Sequence, residues 1–233
     1  MRVADLDWAR LSQLLENEDR AVLPLGSTEQ HASLSLATDS ILAERMAVEA
    51  ADPLGVPVFP VVPYGVTPYF TAYPGTVSLR IETYLALVGD LLDNLARMGF
   101  RRILLLNGHG GNAPAAAFAV EWMSRNPQVR VKTHHWWRGP RTLEAQTAID
   151  PVGSHASWSE SFPWTRVEGA EAPQNPAPTV DRERMNVMTP SEVRTYLGAG
   201  NMGGVHRRPD DEVLELWRVG VQETRAQIDG PWS

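Results

Sequence analysis

Four consecutive large apolar residues, Ile103-Leu104-Leu105-Leu106, restrict the folds open to this chain more than any other stretch. A short run with no polar position is what a central parallel strand covered on both faces requires; a strand with one wet face alternates instead. Directly after it come Asn107-Gly108-His109-Gly110-Gly111-Asn112 and then an alanine-rich segment predicted to be helical from about Pro114 to Met123. Strand, glycine-rich turn and helix in that order describe a unit of an open α/β sheet, and such sheets collect ligands at the carboxyl ends of their strands. Glycine permits tight turns and close backbone approach, so His109, the imidazole within the turn, is a candidate site residue. A phosphate cradle is the competing reading, but the turn lacks both G-x-G-x-x-G spacing and a Gly-Lys-Ser/Thr ending.

Ala21 to Leu25 is a second strand-like run, ended by Gly26-Ser27 and followed by Thr28-Glu29-Gln30-His31 and, further on, Asp39. In extended backbone Glu29 and His31 point to the same side, and two carboxylates with an imidazole suit a divalent ion such as zinc or manganese. The same residues also fit a solvated glutamate, a hydrogen-bonded loop histidine and an N-cap aspartate. A third pair, His155 and Glu160, lies in Gly153-Ser154-His155-Ala156-Ser157-Trp158-Ser159-Glu160-Ser161.

Between these clusters the chain reads as alternating helices and strands. Trp8, Leu11, Leu14 and Leu15 predict an amphipathic helix, Ser40 to Ala51 a second one behind the first strand, and Ile81 to Leu95 a third closed by Gly99. Residues 57–63 are extended by prolines and β-branched residues and fit an edge strand. The aromatic loop Tyr64 to Thr76 is either a pocket wall or a lid over the core or a subunit contact. Val129 to Trp137 alternates like a strand, with His134 and His135 on opposite sides, so at most one of them can join a shared site. Phe162 to Pro190 reads as an irregular excursion, Ser191 to Leu197 and Asp210 to Ile228 as helices, and His206 as a solvated loop residue.

Composition narrows the function classes. With 233 residues, 43% of them hydrophobic, the expectation is a single domain with one sizeable core. A net charge of −7 without a run of basic residues leaves no electrostatic footprint for nucleic acid or an anionic membrane. Without cysteine, a metal would have to be held by His, Asp and Glu. No apolar stretch has the length of a membrane span and the N-terminus lacks the apolar core of a signal peptide, so a cytoplasmic protein is expected.

Taken together, Pro24-Leu25-Gly26-Ser27-Thr28-Glu29-Gln30-His31 with Thr38-Asp39, Tyr73-Pro74-Gly75-Thr76, Asn107-Gly108-His109-Gly110-Gly111-Asn112, and His155-Ala156 with Glu160-Ser161 resemble the creatininase (creatinine amidohydrolase) family in order and spacing, from about Ala21 to Val205. The resemblance implies an α/β fold, a three-layer sandwich with a mainly parallel sheet, and a homo-oligomer that is often a hexamer. It also implies two divalent ions, zinc, manganese or iron, with Glu29, His31, Asp39, His109 and Glu160 as ligands, Asp39 bridging, and His155 nearby as a proton-transfer group. The implied reaction is hydrolysis of an amide or related C–N bond in a small molecule or at a peptide end. The chemistry is coherent, since two ions can acidify a shared water and polarise a carbonyl. Three carboxylates and a bridging hydroxide would neutralise their charge.

Three departures bear on substrate. Gly111 stands where creatinine-hydrolysing members resemble Gly-His-x-Glu-Asn, Tyr69-Phe70 replaces a Glu-His pair, and Trp158 and Phe162 add bulk around the third motif. They predict a reshaped, more aromatic pocket and argue against creatinine as the substrate. They also leave room for a metal-binding homologue without catalysis, serving assembly or regulation.

Overall fold

The structure is a computed structural model that describes residues 1–232. In chain order its regular elements are α1 (Trp8–Leu14), β1 (Arg20–Leu25), α2 (Thr38–Ala51), α3 (Ile81–Met98), β2 (Arg102–Asn107), α4 (Pro114–Arg125), β3 (Arg130–His135), α5 (Pro140–Ile149), α6 (Arg182–Met185), α7 (Pro190–Leu197) and α8 (Asp210–Asp229), with short 3-10 turns between them.

The three strands form one parallel sheet in the order β1-β2-β3, with Val22 opposite Leu104 and Leu104 opposite Lys132. Alternation along the strands feeds two separate cores. Val22, Leu104 and Leu106 face α2 and α8 together with Trp136, Trp158, Phe162 and Trp217. Ala21, Leu23, Leu25, Ile103 and Leu105 face α3 and α4. The central strand is therefore apolar at every core position because both sides are covered, and the layers run helix, sheet, helix. α3 shows the expected stripe, with Tyr84, Val88, Leu92 and Leu95 buried, and it ends at Gly99 in the left-handed region at φ 117°. A side chain at that φ would be strained, which is why glycine closes the helix.

Two predicted elements differ in detail. α1 leans on the second core through Leu11 and Leu15, but Trp8 is 84% exposed, so the apolar stripe is carried by leucines alone. Residues 57–63 do run parallel to β1, through isolated pairings of Val58 with Val22 and Val62 with Leu25. Pro57, Pro60 and Pro63 have no N–H to donate, which breaks the ladder. Nor is this segment a bare edge, because the Val58 N–H donates to the Met1 carbonyl and the Val3 N–H to the Val58 carbonyl.

The chain path explains where a site can form. From β1 it crosses by α2 on one face to the 57–62 segment, then returns by α3 on the other face to β2. Adjacent strands whose following connections leave on opposite faces open a crevice at their carboxyl ends. The polar turns after β1 and β2 both empty into that crevice.

The excursion after Phe162 is irregular apart from α6 and packs with α7 into a small apolar cluster of Phe70, Met185, Val193 and Met202. Trp158 and Phe162 do not enlarge the pocket wall as the sequence suggested. Both are fully buried in the first core, Trp158 donating its indole N–H to the Val152 carbonyl and Phe162 stacked on Trp164 at 5.3 Å. His206 is likewise buried, not solvated, and its Nδ1 lies 3.2 Å from the Asn201 amide nitrogen. Burial here follows from the loop folding back over Ala156, whose carbonyl accepts from Asn201.

Candidate metal centre

Close packing at glycine brings the pieces of the site together. A Cβ on Gly26 would sit 2.5 Å from the Ser40 Cα, and one on Gly108 2.5 Å from the Asp39 carbonyl oxygen. Both strand-end turns thus press against the first turn of α2, and Asp39 is wedged between them. Asp39 is not an N-cap: that position belongs to Ala37, and Asp39 lies inside the helix with its carboxylate turned to the crevice. The β2 turn is held by asparagines. Asn107 accepts the His109 N–H at 3.1 Å and donates to the His109 carbonyl at 2.7 Å, while Asn112 donates to the Gly26 carbonyl at 3.0 Å.

The converging side chains divide into overlapping groups. Glu29, Asp39 and His109 form one, His31, Asp39 and Glu160 a second, and Glu29, His31 and His155 a third, with ligand atoms within 4.8 Å of one another in each. Asp39 joins the first two through different oxygens: Oδ2 is 2.9 Å from His109 Nδ1, and Oδ1 is 3.1 Å from His31 Nε2. Ser27 donates to Oδ2 at 2.7 Å, fixing the carboxylate plane. Glu29 Oε1 lies 3.3 Å from His109 Nδ1, and Glu160 Oε2 lies 3.6 Å from His31 Nε2. Neither glutamate is a solvated loop residue, since Glu29 is 1% exposed and the Glu160 side chain is 20% exposed.

The second nitrogen of each presumptive histidine ligand faces a backbone carbonyl. His31 Nδ1 is 3.2 Å from the Glu29 carbonyl oxygen, and His109 Nε2 is 3.0 Å from that of Val66. A proton donated there leaves the nitrogen facing the carboxylates free to take a cation, the usual outer-shell arrangement of metal-ligating histidine. Two alanines next to the cluster adopt left-handed backbone, Ala32 at φ 52° and Ala156 at φ 58°. Each is pinned by a side chain of the site: the Ala32 N–H donates to Gln30 Oε1 and the Ala156 N–H to Glu160 Oε2. Strain of this kind, about 1–2 kcal/mol per residue, persists only where the surroundings enforce it.

Electrostatics supply the test of whether a cation fits. Burial opposes charge on His31, yet Asp39, Glu160 and Glu29 outweigh it and raise its pKa to about 10; His109 is likewise raised well above its ordinary value against burial, by Glu29 and Asp39. Asp39 is held below the ordinary carboxylate range despite burial, by His31 and His109. Burial lifts Glu160 to about 7. Without ions, protons on the two imidazoles supply the positive charge that the carboxylates demand. Glu29 Oε2 is buried with no hydrogen-bond partner at all. An orphaned carboxylate oxygen in a hard and borderline donor set is what a divalent ion would satisfy. His155 differs: burial, with His31 nearby, lowers its pKa to about 4.

All six residues singled out from the sequence, Glu29, His31, Asp39, His109, His155 and Glu160, meet in this crevice. His134 and His135 stay out of the three groups; His135 Nδ1 lies 2.8 Å from the Asn107 amide nitrogen and so supports the β2 turn. Of the aromatic loop, Phe70 reaches the site, its ring stacked on His155 at 4.6 Å, whereas Tyr69 is partly exposed and its hydroxyl donates to Asn186. Ser27, Gln30, Asn107, Asn112 and the Val66 carbonyl also serve the site, and none of them stands out in the sequence as a candidate. The first four lie inside the quoted motifs, where their polarity was the available signal; a backbone carbonyl leaves none.

Fold and cluster together define a class: an α/β/α protein with carboxylates and imidazoles gathered at a topological switch point, suited to divalent cations. Within that class, the chain belongs to the creatininase family, whose description is creatinine amidohydrolase and which residues 4–212 match. Similar proteins include a 3-dehydro-scyllo-inosose hydrolase of Thermotoga maritima, 33% identical over 43% of this chain and 33% of that one. A mycofactocin precursor peptide peptidase of Mycolicibacterium smegmatis is 38% identical over 42% of each chain. A creatinine amidohydrolase of Pseudomonas putida is 31% identical over 48% of this chain and 45% of its own. The matched segment thus spans about a third to a half of the length of these curated relatives. A crystal structure of creatininase superposes with a TM-score of 0.81 at 22% identity, covering 96% of this chain and 95% of that one, which establishes the fold.

Proposed function

We propose that the protein is a metal-dependent hydrolase of a C–N bond that holds two divalent ions, zinc, manganese or iron. One ion would be held by Glu29, Asp39 and His109, the other by His31, Asp39 and Glu160. The observation that carries this reading is Asp39, whose two oxygens each face a different histidine and so belong to two ligand groups at once. Bound ions would acidify a water and polarise the substrate carbonyl. The chain's own residues do the rest: Ser27 and the Glu29 and Val66 carbonyls orient the donors, and His155 stands beside Glu29 Oε1 at 3.4 Å to handle a proton. Phe70, stacked on His155, backs that imidazole with an apolar face.

The substrate we infer is an N-formyl compound, a cyclic amide or a peptide end whose acyl or amine portion is more apolar or larger than that of creatinine. Gly111 supports this, because the Val66 carbonyl lies where any side chain at 111 would start, so that edge of the pocket is backbone. A site built around polar partners strongly rejects ligands that lack them, whereas creatinine against a wall without such partners would leave its polar edges unpaired, at about 1–3 kcal/mol each. Assembly as a homo-oligomer, on the hexamer expected from the family, belongs to the same proposal, and sedimentation would measure it.

Elemental analysis of protein never exposed to chelator should find about two divalent ions per chain; less than half an equivalent in folded protein would defeat the dinuclear reading. Assays of creatinine, N-formyl compounds, cyclic amides and short peptides with zinc and with manganese decide the rest. Creatinine as the best substrate would overturn the pocket argument, and two bound ions with no turnover of any compound would favour a non-catalytic role.

A further inference from the structure

We propose that Gln30 is a positioning residue that fixes the tautomer of His155, keeping the proton on Nδ1 and thereby keeping this histidine out of the metal-ligand set. The catalytic part of the inference rests on the hydrolase reading above; the tautomer does not.

Gln30 is 5% exposed, and its neighbours fix which end of its amide is oxygen. Its Oε1 accepts the N–H of left-handed Ala32 at 3.1 Å, and its Nε2 donates to the Gly200 carbonyl at 3.0 Å. Turning the amide over would set N–H against N–H and carbonyl against carbonyl. With Nε2 so placed, its remaining N–H meets His155 Nε2 at 2.8 Å. That imidazole nitrogen must therefore accept, and in the neutral ring the proton resides on Nδ1. Nδ1 in turn faces Glu29 Oε1 at 3.4 Å, a group that attracts the proton.

Three groups in the crevice could each hold a cation, yet they share residues and cannot all be used. A metal-ligating histidine needs a bare nitrogen facing the ion. His31 and His109 can offer one, since their other nitrogens face backbone carbonyls and an ion would replace the proton on the nitrogen that faces the carboxylates. His155 has none: one lone pair is engaged by Gln30 and the other nitrogen carries hydrogen. The group of Glu29, His31 and His155 is thus closed to metal by an amide, and His155 keeps a transferable proton. In hydrolysis that proton can pass from Nδ1 to the nitrogen of the breaking C–N bond, and the ring regains one from the water that supplies the new C–O bond. Phe70 and His31, with ring centroids 4.6 and 4.3 Å from that of His155, hold the imidazole in place for this transfer. Gly200 completes the arrangement, because a Cβ there would collide with the Gln30 side chain.

The test is the nitrogen-15 spectrum of the imidazoles in the whole protein, ion-free and zinc-loaded, with His155 assigned by its loss in His155→Gln. Wild-type protein should show His155 with Nε2 unprotonated and Nδ1 protonated, in both states. Nε2 protonated in the wild type would overturn the proposal, and this measurement needs no variant to fold. In Gln30→Glu the added carboxylate oxygen demands a donor, so Nε2 should become protonated; an unprotonated Nε2 in that variant would also overturn it. Metal content measured alongside separates the two readings. A protein without ions but with the stated tautomer retains this inference and loses the metal centre, and the reverse result does the opposite.

Discussion

Asp39 and Gly111 carry their consequences at the level of single residues. Outer-shell partners of metal ligands typically contribute about 10- to 100-fold to affinity or activity, and Asp39 is more than that, a donor to both proposed ions. Asp39→Asn should lower metal content at both positions together and reduce turnover by more than about 100-fold. Loss of one ion with retention of the other would show that Asp39 is not shared. Gly111 is fixed by the Val66 carbonyl and by His109 Nε2, 2.6 Å from where its Cβ would be. Gly111→Ala should therefore destabilise by about 1–3 kcal/mol or more, as overpacking does, and Gly111→Glu should not produce creatinine hydrolysis. Thermal melts and the creatinine assay measure the two effects.

At the level of elements, the interesting cases lie away from the crevice. α5 starts against α8: the buried Glu223 carboxylate accepts from the Thr142 N–H at 2.9 Å, the Thr142 hydroxyl at 2.7 Å and the Arg141 N–H at 3.2 Å. Burial pushes the pKa of Glu223 up, but these bonds, with His134 nearby, bring it below its ordinary value of 4.5. A depressed folded-state pKa means the native protein binds fewer protons than the unfolded chain. The stability Glu223 contributes is hence complete above pH 4.5 and is lost as pH falls through the folded value. Glu223→Gln should lower stability at pH 7 and flatten the acid limb of the stability profile; an unchanged acid limb would count against this account. Phe162 belongs to the core between the sheet and α8, not to the pocket. Phe162→Leu should lower the melting temperature while leaving the order of substrate preference unchanged, and a reordered preference would return it to the pocket wall.

For the molecule as a whole, the crevice lies where two strand ends, the first turn of α2 and the 155–160 segment meet. Ions that bind only this assembled arrangement stabilise it by mass action, about 2.7 kcal/mol at 100 times the dissociation constant. Chelation should lower the melting temperature, and adding zinc or manganese should restore it. A melt indifferent to chelator in protein shown to contain metal would place the ions elsewhere. Among the described residues no helix is long and apolar enough to cross a membrane.

What was legible in the sequence is what local chemistry decides. Leucine and isoleucine without a polar break forced a doubly covered strand at 103–106, apolar spacing and Gly99 set α3 and its end, and local chemistry offered candidate ligands that only the joint resemblance of the motifs to the creatininase family gathered into one set. Tertiary structure decided the rest, because the deciding contacts lie far apart in the chain. Whether Trp158 and Phe162 belong to pocket or core depends on α8, some fifty residues later. That Asp39 serves two groups depends on turns after two different strands closing on one helix end through glycines without side chains. The tautomer of His155 depends on an amide 125 positions earlier. Residue types and their spacing can state which atoms are able to meet; only the folded backbone, by its close approaches, determines which of them do.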